Sequence, residues 1–283
     1  MHIHWFPGHM TKAIRMMATE LSRVDCVIQV LDARAPMSCM NPAFDAVIGN
    51  RPRLFVINKY DLIEPDDAKL WKRYFQMAKY NFVFADSAHK TDALAVKNGL
   101  KETASVISER YRKKGVEKTI RAMVIGIPNV GKSTLINSLT AEKKTVTGDR
   151  PGVTRGKQWV AIDKYIDLLD SPGVLYPDFK DQEKATRLAL IGSIKDDVLD
   201  KCELALLGIK ILCKLAPNKL ATRYNISDIN AHNPLGILEE ITLLRGYRLK
   251  GDTPDIERAA SAFINEFRKG QIGKFVLDEI PLL

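Results

Sequence analysis

One segment limits the fold more than any other: Gly126-Ile127-Pro128-Asn129-Val130-Gly131-Lys132-Ser133, directly behind the β-rich Met123-Val124-Ile125. The spacing G-x-x-x-x-G-K-[ST] between a strand and a helix, here Ser133 to Leu139, is a phosphate-binding loop. Its glycines let backbone N–H groups close around phosphate, Lys132 neutralises the β and γ phosphates, and Ser133 offers a hydroxyl to magnesium. Asn129, Val130, Gly131 and Thr134 complete the expected phosphate-contacting set. Such a unit sits at the carboxyl edge of an α/β sheet.

The flanking pattern agrees. Short apolar strands are predicted at Cys26 to Leu31, Arg53 to Ile57, Phe82 to Phe84, Ala122 to Gly126, Gln158 to Ile162 and Tyr165 to Leu169, separated by amphipathic stretches such as the helix from Ala93 to Tyr111. This is a mostly parallel sheet with helices on both faces. After residue 180 the strand signal stops. Gln182 to Leu215 reads as one long or two consecutive helices, Asn233-Pro234-Leu235-Gly236 breaks the pattern, and helices follow at Ile237 to Arg245 and Asp255 to Arg268. The expected division is an α/β nucleotide domain over 1–180 and a smaller all-helical domain over 181–283.

Asn58-Lys59-Tyr60-Asp61 follows the strand Leu54-Phe55-Val56-Ile57, again at the carboxyl edge. Asp61 can accept from the guanine N1 and N2 donors, which adenine lacks. Asn58 serves N7 and holds the loop, Lys59 packs its stem along the base, and the Ala88 N–H in Ser87-Ala88 reaches O6. Asp170, in Asp170-Ser171-Pro172-Gly173, is placed to hold magnesium through water, and the Gly173 N–H to meet the γ-phosphate. Thr154, in Pro151-Gly152-Val153-Thr154-Arg155, falls where a first switch would complete the magnesium shell. The expected ligands are therefore GTP or GDP with magnesium.

Catalysis is less conventional. Val174 and Leu175 follow Gly173, and neither side chain can orient water, so the chain alone should hydrolyse slowly. Two groups can stand in. Asn129 matches the position that holds potassium in cation-activated GTPases. His9, in the stretch Trp5-Phe6-Pro7-Gly8-His9-Met10 expected to form a defined loop, carries an imidazole able to position water. Catalytic roles thus fall to Lys132, Thr154, Gly173 and His9.

Charge suggests a partner. Residues 181–283 hold 15 Lys and Arg against 15 Asp and Glu, so the whole net charge of +9 sits on residues 1–180. Its densest cluster is Arg110, Arg112, Lys113, Lys114, Lys118 and Arg121. An excess confined to one part favours a polyanion, nucleic acid first. Cys26, Cys39, Cys202 and Cys213 form no C-x-x-C pair, so neither a zinc ribbon nor a disulfide framework is expected. No apolar run approaches the roughly 18 residues of a membrane span and the N-terminus is not a signal peptide, which places the expected protein in the cytoplasm, off the membrane.

The order of these boxes is unusual: base recognition precedes the phosphate loop, and the basic stretch Arg112 to Lys118 joins the two halves. With Trp5-Phe6-Pro7-Gly8-His9-Met10, Leu31-Asp32-Ala33-Arg34, Asn233-Pro234-Leu235-Gly236 and Phe267-Arg268-Lys269-Gly270, the chain resembles the circularly permuted ribosome-assembly GTPases over nearly its whole length. The resemblance implies a Ras-like domain in permuted order and a GTP-dependent factor for late maturation of the large ribosomal subunit. It also implies contacts with ribosomal RNA and ribosomal proteins, a hydrophobic residue in place of the catalytic glutamine, and a C-terminal domain that touches RNA; a monomer is expected. An RNA-binding scaffold with structural nucleotide, or a potassium-dependent GTPase of tRNA modification or metal transport, are the competing readings. The permuted order argues against the latter two.

Overall fold

A computed structural model describes residues 8–88, 92–140, 158–175, 181–227, 229 and 233–282, with backbone only for 8–13 and 158. Six strands form one sheet: β1 Cys26–Asp32, β2 Arg53–Asn58, β3 Asn81–Ala85, β4 Ile120–Ile125, β5 Gln158–Asp163 and β6 Ile166–Asp170. Their order is β3-β2-β1-β4-β6-β5. Every neighbouring pair is parallel except the β5–β6 hairpin. All seven residues of β1 are buried, which is why Cys-Val-Ile-Gln-Val-Leu-Asp reads as a nearly unbroken apolar run rather than an alternating one.

This order explains the permutation. The phosphate-loop strand β4 lies at the centre, with β1, β2 and β3 on one side and β6 and β5 on the other. The sheet is that of a Ras-like domain; only the chain's point of entry differs. Winding reverses between β1 and β4, and such a switch point opens the crevice in which open α/β sheets bind ligands.

Helices α1 Gly8–Leu21, α2 Pro42–Ile48, α3 Pro65–Met77, α4 Ala93–Thr103, α5 Ser105–Arg112 and α6 Lys132–Leu139 accompany the sheet. The single helix expected over Ala93 to Tyr111 is two, divided at the buried Ala104. The expected N-terminal loop is corrected in part: the backbone of Gly8, His9 and Met10 belongs to α1, while Trp5, Phe6 and Pro7 lie outside the described residues.

Behind residue 181 come α7 Gln182–Leu190, α8 Lys201–Leu215, α9 Pro217–Tyr224, α10 Pro234–Leu244 and α11 Ile256–Arg268. Gln182 to Leu215 is thus two helices, parted where Gly192 takes φ +82°, a left-handed conformation that glycine adopts without cost. Asn233-Pro234 does not merely break a pattern; it starts α10. The Asn233 Oδ1 accepts from the Gly236 N–H at 2.9 Å and Pro234 occupies the first turn, where its missing N–H costs nothing. Asp181, Asp200 and Asp255 cap α7, α8 and α11 in the same way. Helices α8 and α11 cross closely at Gly208, where an added Cβ would meet Leu190 and Phe263 at 2.9 Å. Buried apolar residues of the sheet and of these helices form one continuous cluster. Cys26, Cys39 and Cys213 are buried free thiols within it.

Candidate functional site

Strand β4 delivers the chain to Gly126, whose φ of +153° and absent side chain let it pass the Val30 carbonyl; a Cβ there would stand 2.6 Å from that oxygen. Asn129 (φ +60°) and Gly131 (φ +96°) are left-handed as well. Such alternation turns successive N–H groups to one side and makes an anion-binding concavity. Helix α6 opens at Lys132 with no side-chain cap on its first turn, so its N–H groups and dipole face the same hollow.

Lys132 is buried, and its Nζ donates to the carbonyls of Gly126 (3.2 Å) and Ile127 (2.8 Å). Burial pulls its ammonium pKa down to about 8, against the opposing charge of Asp170. The Ser133 hydroxyl donates to Asp170 Oδ2 at 3.0 Å, which sets two hard oxygen ligands side by side. That pair and the cradle that a Cβ would fill fit a magnesium-bound polyphosphate. Thr134 follows on the first turn of α6, half-buried.

The base loop is fastened to this cradle. The Asn58 Nδ2 donates to the Val130 carbonyl at 2.7 Å, and its Oδ1 accepts from the Ser87 N–H at 2.9 Å. One buried amide therefore clasps the phosphate loop to the Ser87-Ala88 turn. Gly131 makes this possible, because a Cβ there would lie 2.2 Å from Asn58 Nδ2. Lys59 takes φ 59° and sends its Nζ to the Asn129 carbonyl at 2.7 Å and to Asp32 at 3.0 Å. Asp61 stands exposed on the next turn, its carboxyl pKa raised by desolvation and by the charge of Asp86. The Ala88 N–H, expected to reach a guanine O6, here donates to Asp86 Oδ1 at 2.9 Å.

Two residues given no role from sequence prove central. Arg34 is 2 % exposed and grips Asp32 with two parallel bonds, Nε to Oδ1 at 2.9 Å and Nη2 to Oδ2 at 2.8 Å. Burial alone would raise the Asp32 pKa, but Arg34 and Lys59 outweigh it and hold the carboxyl well below the usual range. The remaining donors of Arg34 reach the carbonyls of Arg268 (2.9 Å) and Ile191 (3.5 Å) in the helical part. The advance signs were an aspartate at the carboxyl end of a nearly apolar strand and the place of Leu31-Asp32-Ala33-Arg34 among the segments that carry the resemblance.

Asn129, the potassium candidate, donates its Nδ2 to the Gly192 carbonyl at 2.7 Å, so the phosphate loop also holds the end of α7. Beyond β6, the Ser171 hydroxyl donates to the Val124 carbonyl at 2.6 Å, and Gly173 lies so close to the loop that a Cβ would meet Pro128 at 2.8 Å and Lys132 Nζ at 3.0 Å. Val174 and Leu175 are wholly buried, and the Val174 N–H donates to the Gly126 carbonyl at 3.2 Å. The structure thus brings Asn58, Lys59, Ser87, Ala88, the phosphate loop, Asp170 and Gly173 together. Thr154 lies outside the described residues, as does the His9 side chain.

The family model described as 50S ribosome-binding GTPase matches residues 121–237. Ribosome biogenesis GTPase A of Priestia megaterium is 37% identical over 281 residues, 99% of this chain and 97% of that protein. Mitochondrial ribosome-associated GTPase 1 of Xenopus tropicalis is 34% identical over 299 aligned residues, 97% of this chain and 94% of the relative. Among solved structures, GNP-bound YlqF from T. maritima shares the fold with a TM-score of 0.67 at 22% identity, covering 96% of this chain and all of that one. No helix among the described residues is long and apolar enough to cross a membrane. On the near full-length identity to its relatives, the chain belongs to the ribosome biogenesis GTPase A family.

Proposed function

We propose that this protein is a cytoplasmic GTP-hydrolysing switch for late assembly of the large ribosomal subunit. It docks on the precursor particle in the GTP form, against ribosomal RNA and ribosomal proteins, and leaves after hydrolysis. The observation that carries this reading is the grip of both nucleotide loops on the helical part: Asn129 holds Gly192, and Arg34, tied through Asp32 to Lys59, holds Ile191 and Arg268. Helix α7 begins nine residues after Gly173, so whatever moves Gly173 also moves residues 181–283, which we assign as the ribosome-contacting domain.

The chain's own groups divide the work as follows. Lys132 and the backbone N–H groups from Asn129 to Thr134 hold the phosphates. Asn58, Lys59, Asp61, Ser87 and Ala88 hold the guanine. Ser133, Thr154 and, through water, Asp170 would hold magnesium, which would screen the negative charge of the phosphates. The Gly173 N–H senses the γ-phosphate. With Val174 and Leu175 in the core, water must be oriented by another group. Asn129 with potassium and the His9 imidazole are the two we assign. The isolated monomer is therefore slow, and docking on the particle accelerates it.

Hydrolysis rates measured across a titration of large-subunit precursor test the reading. Stimulation that saturates, with His9→Ala lowering the stimulated kcat by about 100-fold at unchanged GTP affinity, is the expected result. If His9 only contacts RNA, the variant weakens docking and spares kcat at saturation. No stimulation by any large-subunit particle would overturn the assignment, and turnover equal with and without the particle would favour a scaffold with structural nucleotide.

A further inference from the structure

The basic cluster between the two halves of the nucleotide domain is used by nothing described so far. Residues 110–121 carry six Lys and Arg against one Glu, and Arg110, Arg112, Lys113, Lys114 and Arg121 are exposed. Beside them the surface shows aromatic rings that a solvated charged face has no need of. Trp159 on the edge strand β5 is 39 % exposed and Tyr165 in the β5–β6 turn 41 %. Each ring carries a cation: Arg121 lies 5.7 Å from the Trp159 centroid, Lys164 5.1 Å from Tyr165, and Lys118 4.5 Å from Tyr111.

These pairs belong to one surface. The Ile120 N–H donates to the Tyr165 carbonyl at 2.8 Å, and Lys164 lies 3.7 Å from Glu117, which stitches the linker to the hairpin turn. In the ladder Arg121 stands opposite Asp167, and Asp167 opposite Ala161, two residues from Trp159 on the same face. The strip therefore climbs the open edge of the sheet from the β5–β6 turn towards Trp159. Strand β4 separates its lower end from the phosphate loop by about 20 Å, at 3.3 Å per residue, so these cations do not serve the nucleotide.

We propose that this strip is a second RNA-binding surface, distinct from the helical domain, that takes an unpaired segment of the precursor's RNA. Phosphates meet Arg112, Lys113 and Lys114, while bases stack on Trp159, Tyr165 and the guanidinium of Arg121. A duplex keeps its base faces stacked inside and offers these rings nothing, and an acidic protein surface has no use for the stacking platform, so the combination selects single strands or loops. The proposal rests on the ribosome-assembly reading for the source of the RNA, but its chemistry can be tested apart from it.

The probe is a fluorescein-labelled, mixed-sequence RNA of about 12 nucleotides, single-stranded or paired with its complement. Binding to the GDP-loaded full chain is followed by anisotropy along a potassium chloride series. The single strand is expected to bind more tightly than the duplex. The combined Arg112→Ala, Lys113→Ala, Lys114→Ala variant lowers the log-log salt slope by about 2, at 0.7 per phosphate contact. Trp159→Ala weakens single-strand binding by about tenfold or more with the slope unchanged, and Trp159→Phe restores most of it. GDP affinity stays at the parent value in all three. Equal binding by the parent and both alanine variants would overturn the proposal, as would equal affinity for duplex and single strand. Sedimentation with large-subunit precursor separates this failure from that of the broader reading. A parent that does not co-sediment sinks the ribosome assignment, whereas a parent and variants that co-sediment alike, with equal oligonucleotide affinities, sink only the strip.

Discussion

Asn58 offers the sharpest quantitative test of how the site is held together. Its amide is buried and makes two bonds that no other side chain among the described residues duplicates, to the Val130 carbonyl at 2.7 Å and from the Ser87 N–H at 2.9 Å. Asn58→Ala removes both and strands two buried backbone groups. Each lost bond costs about 0.5–1.5 kcal/mol net, rising to about 1–3 kcal/mol where the abandoned partner finds no water. The sum is about 2–6 kcal/mol, a fall in Tm of about 4–24 °C for a domain of this size. GDP affinity should drop by more than tenfold as well, because the clasp fixes the spacing between the phosphate and base loops. Asn58→Asp is the informative control. It keeps the shape and the acceptor for Ser87 but turns a carboxylate oxygen towards the Val130 carbonyl, so it should be no more stable than Asn58→Ala despite its near-identical size. Differential scanning calorimetry without nucleotide, followed by a GDP titration, gives both quantities. A Tm within about 1 °C of the parent for Asn58→Ala, or a fully stable Asn58→Asp, would refute the clasp.

Further outcomes follow from the same geometry. Lys132 titrates near 8 before nucleotide arrives, and phosphate keeps it charged afterwards, so GDP affinity should be flat below pH 8 and fall by up to about tenfold per pH unit above it. At pH 8 calorimetry in two buffers of different ionisation enthalpy should record an uptake of about half a proton, and zero uptake would contradict the shift. Asp61→Asn should move preference from GTP to xanthosine triphosphate, read in binding titrations; tight ATP binding by the parent would remove Asp61 from the base site. Potassium should support hydrolysis better than sodium at equal ionic strength, and Asn129→Ala should erase the difference; equal rates in the two salts for the parent would dismiss Asn129 as an ion ligand.

Much of this architecture is legible in the sequence because the features concerned are local. A Gly-rich loop between an apolar strand and a helix must be a phosphate cradle wherever the chain places it, and Asn58 to Asp61 sit where their strand ends. Box order alone implied the permuted sheet, and the strand order agrees. What stayed hidden depends on tertiary partners. Asp32 and Arg34 are two polar residues after an apolar strand until folding sets Ile191 and Arg268 beside them. Ala104 divides α4 from α5 although nothing in its helix propensity asks for a break. Asn233-Pro234 reads equally as a stop or a start, and only the hydrogen bond from the Gly236 N–H decides for a cap. Asp86 is an ordinary turn residue in sequence, yet it occupies the Ala88 N–H and raises the pKa of Asp61.

The buried hub at Asp32 bears on how nucleotide state leaves the site. Three structural units converge on one carboxylate: the base loop through Lys59, the helical part through Arg34, and the phosphate loop through the Lys59 bond to Asn129. Its folded pKa is depressed, so its contribution to stability is complete above the unfolded carboxylate value of about 4 and is lost only as pH falls below that. A scan from pH 7 to 5 therefore leaves the hub intact, and the test must be a substitution. Arg34→Ala would strand a buried charge at about 3–5 kcal/mol and risks unfolding the chain. Arg34→Lys keeps the charge but has no planar fork, so it cannot grip Asp32 with two bonds and still reach both carbonyls. In the parent, exchanging GDP for a non-hydrolysable GTP analogue should change amide hydrogen exchange across Ile191 to Ser193, the segment held by Arg34 and Asn129. In Arg34→Lys that nucleotide sensitivity should be largely gone while GDP affinity falls by less than about tenfold, since no phosphate or base contact is removed. Equal sensitivity in the two proteins would mean that the signal bypasses Arg34 and runs through the Asn129–Gly192 bond or the segment that follows Gly173.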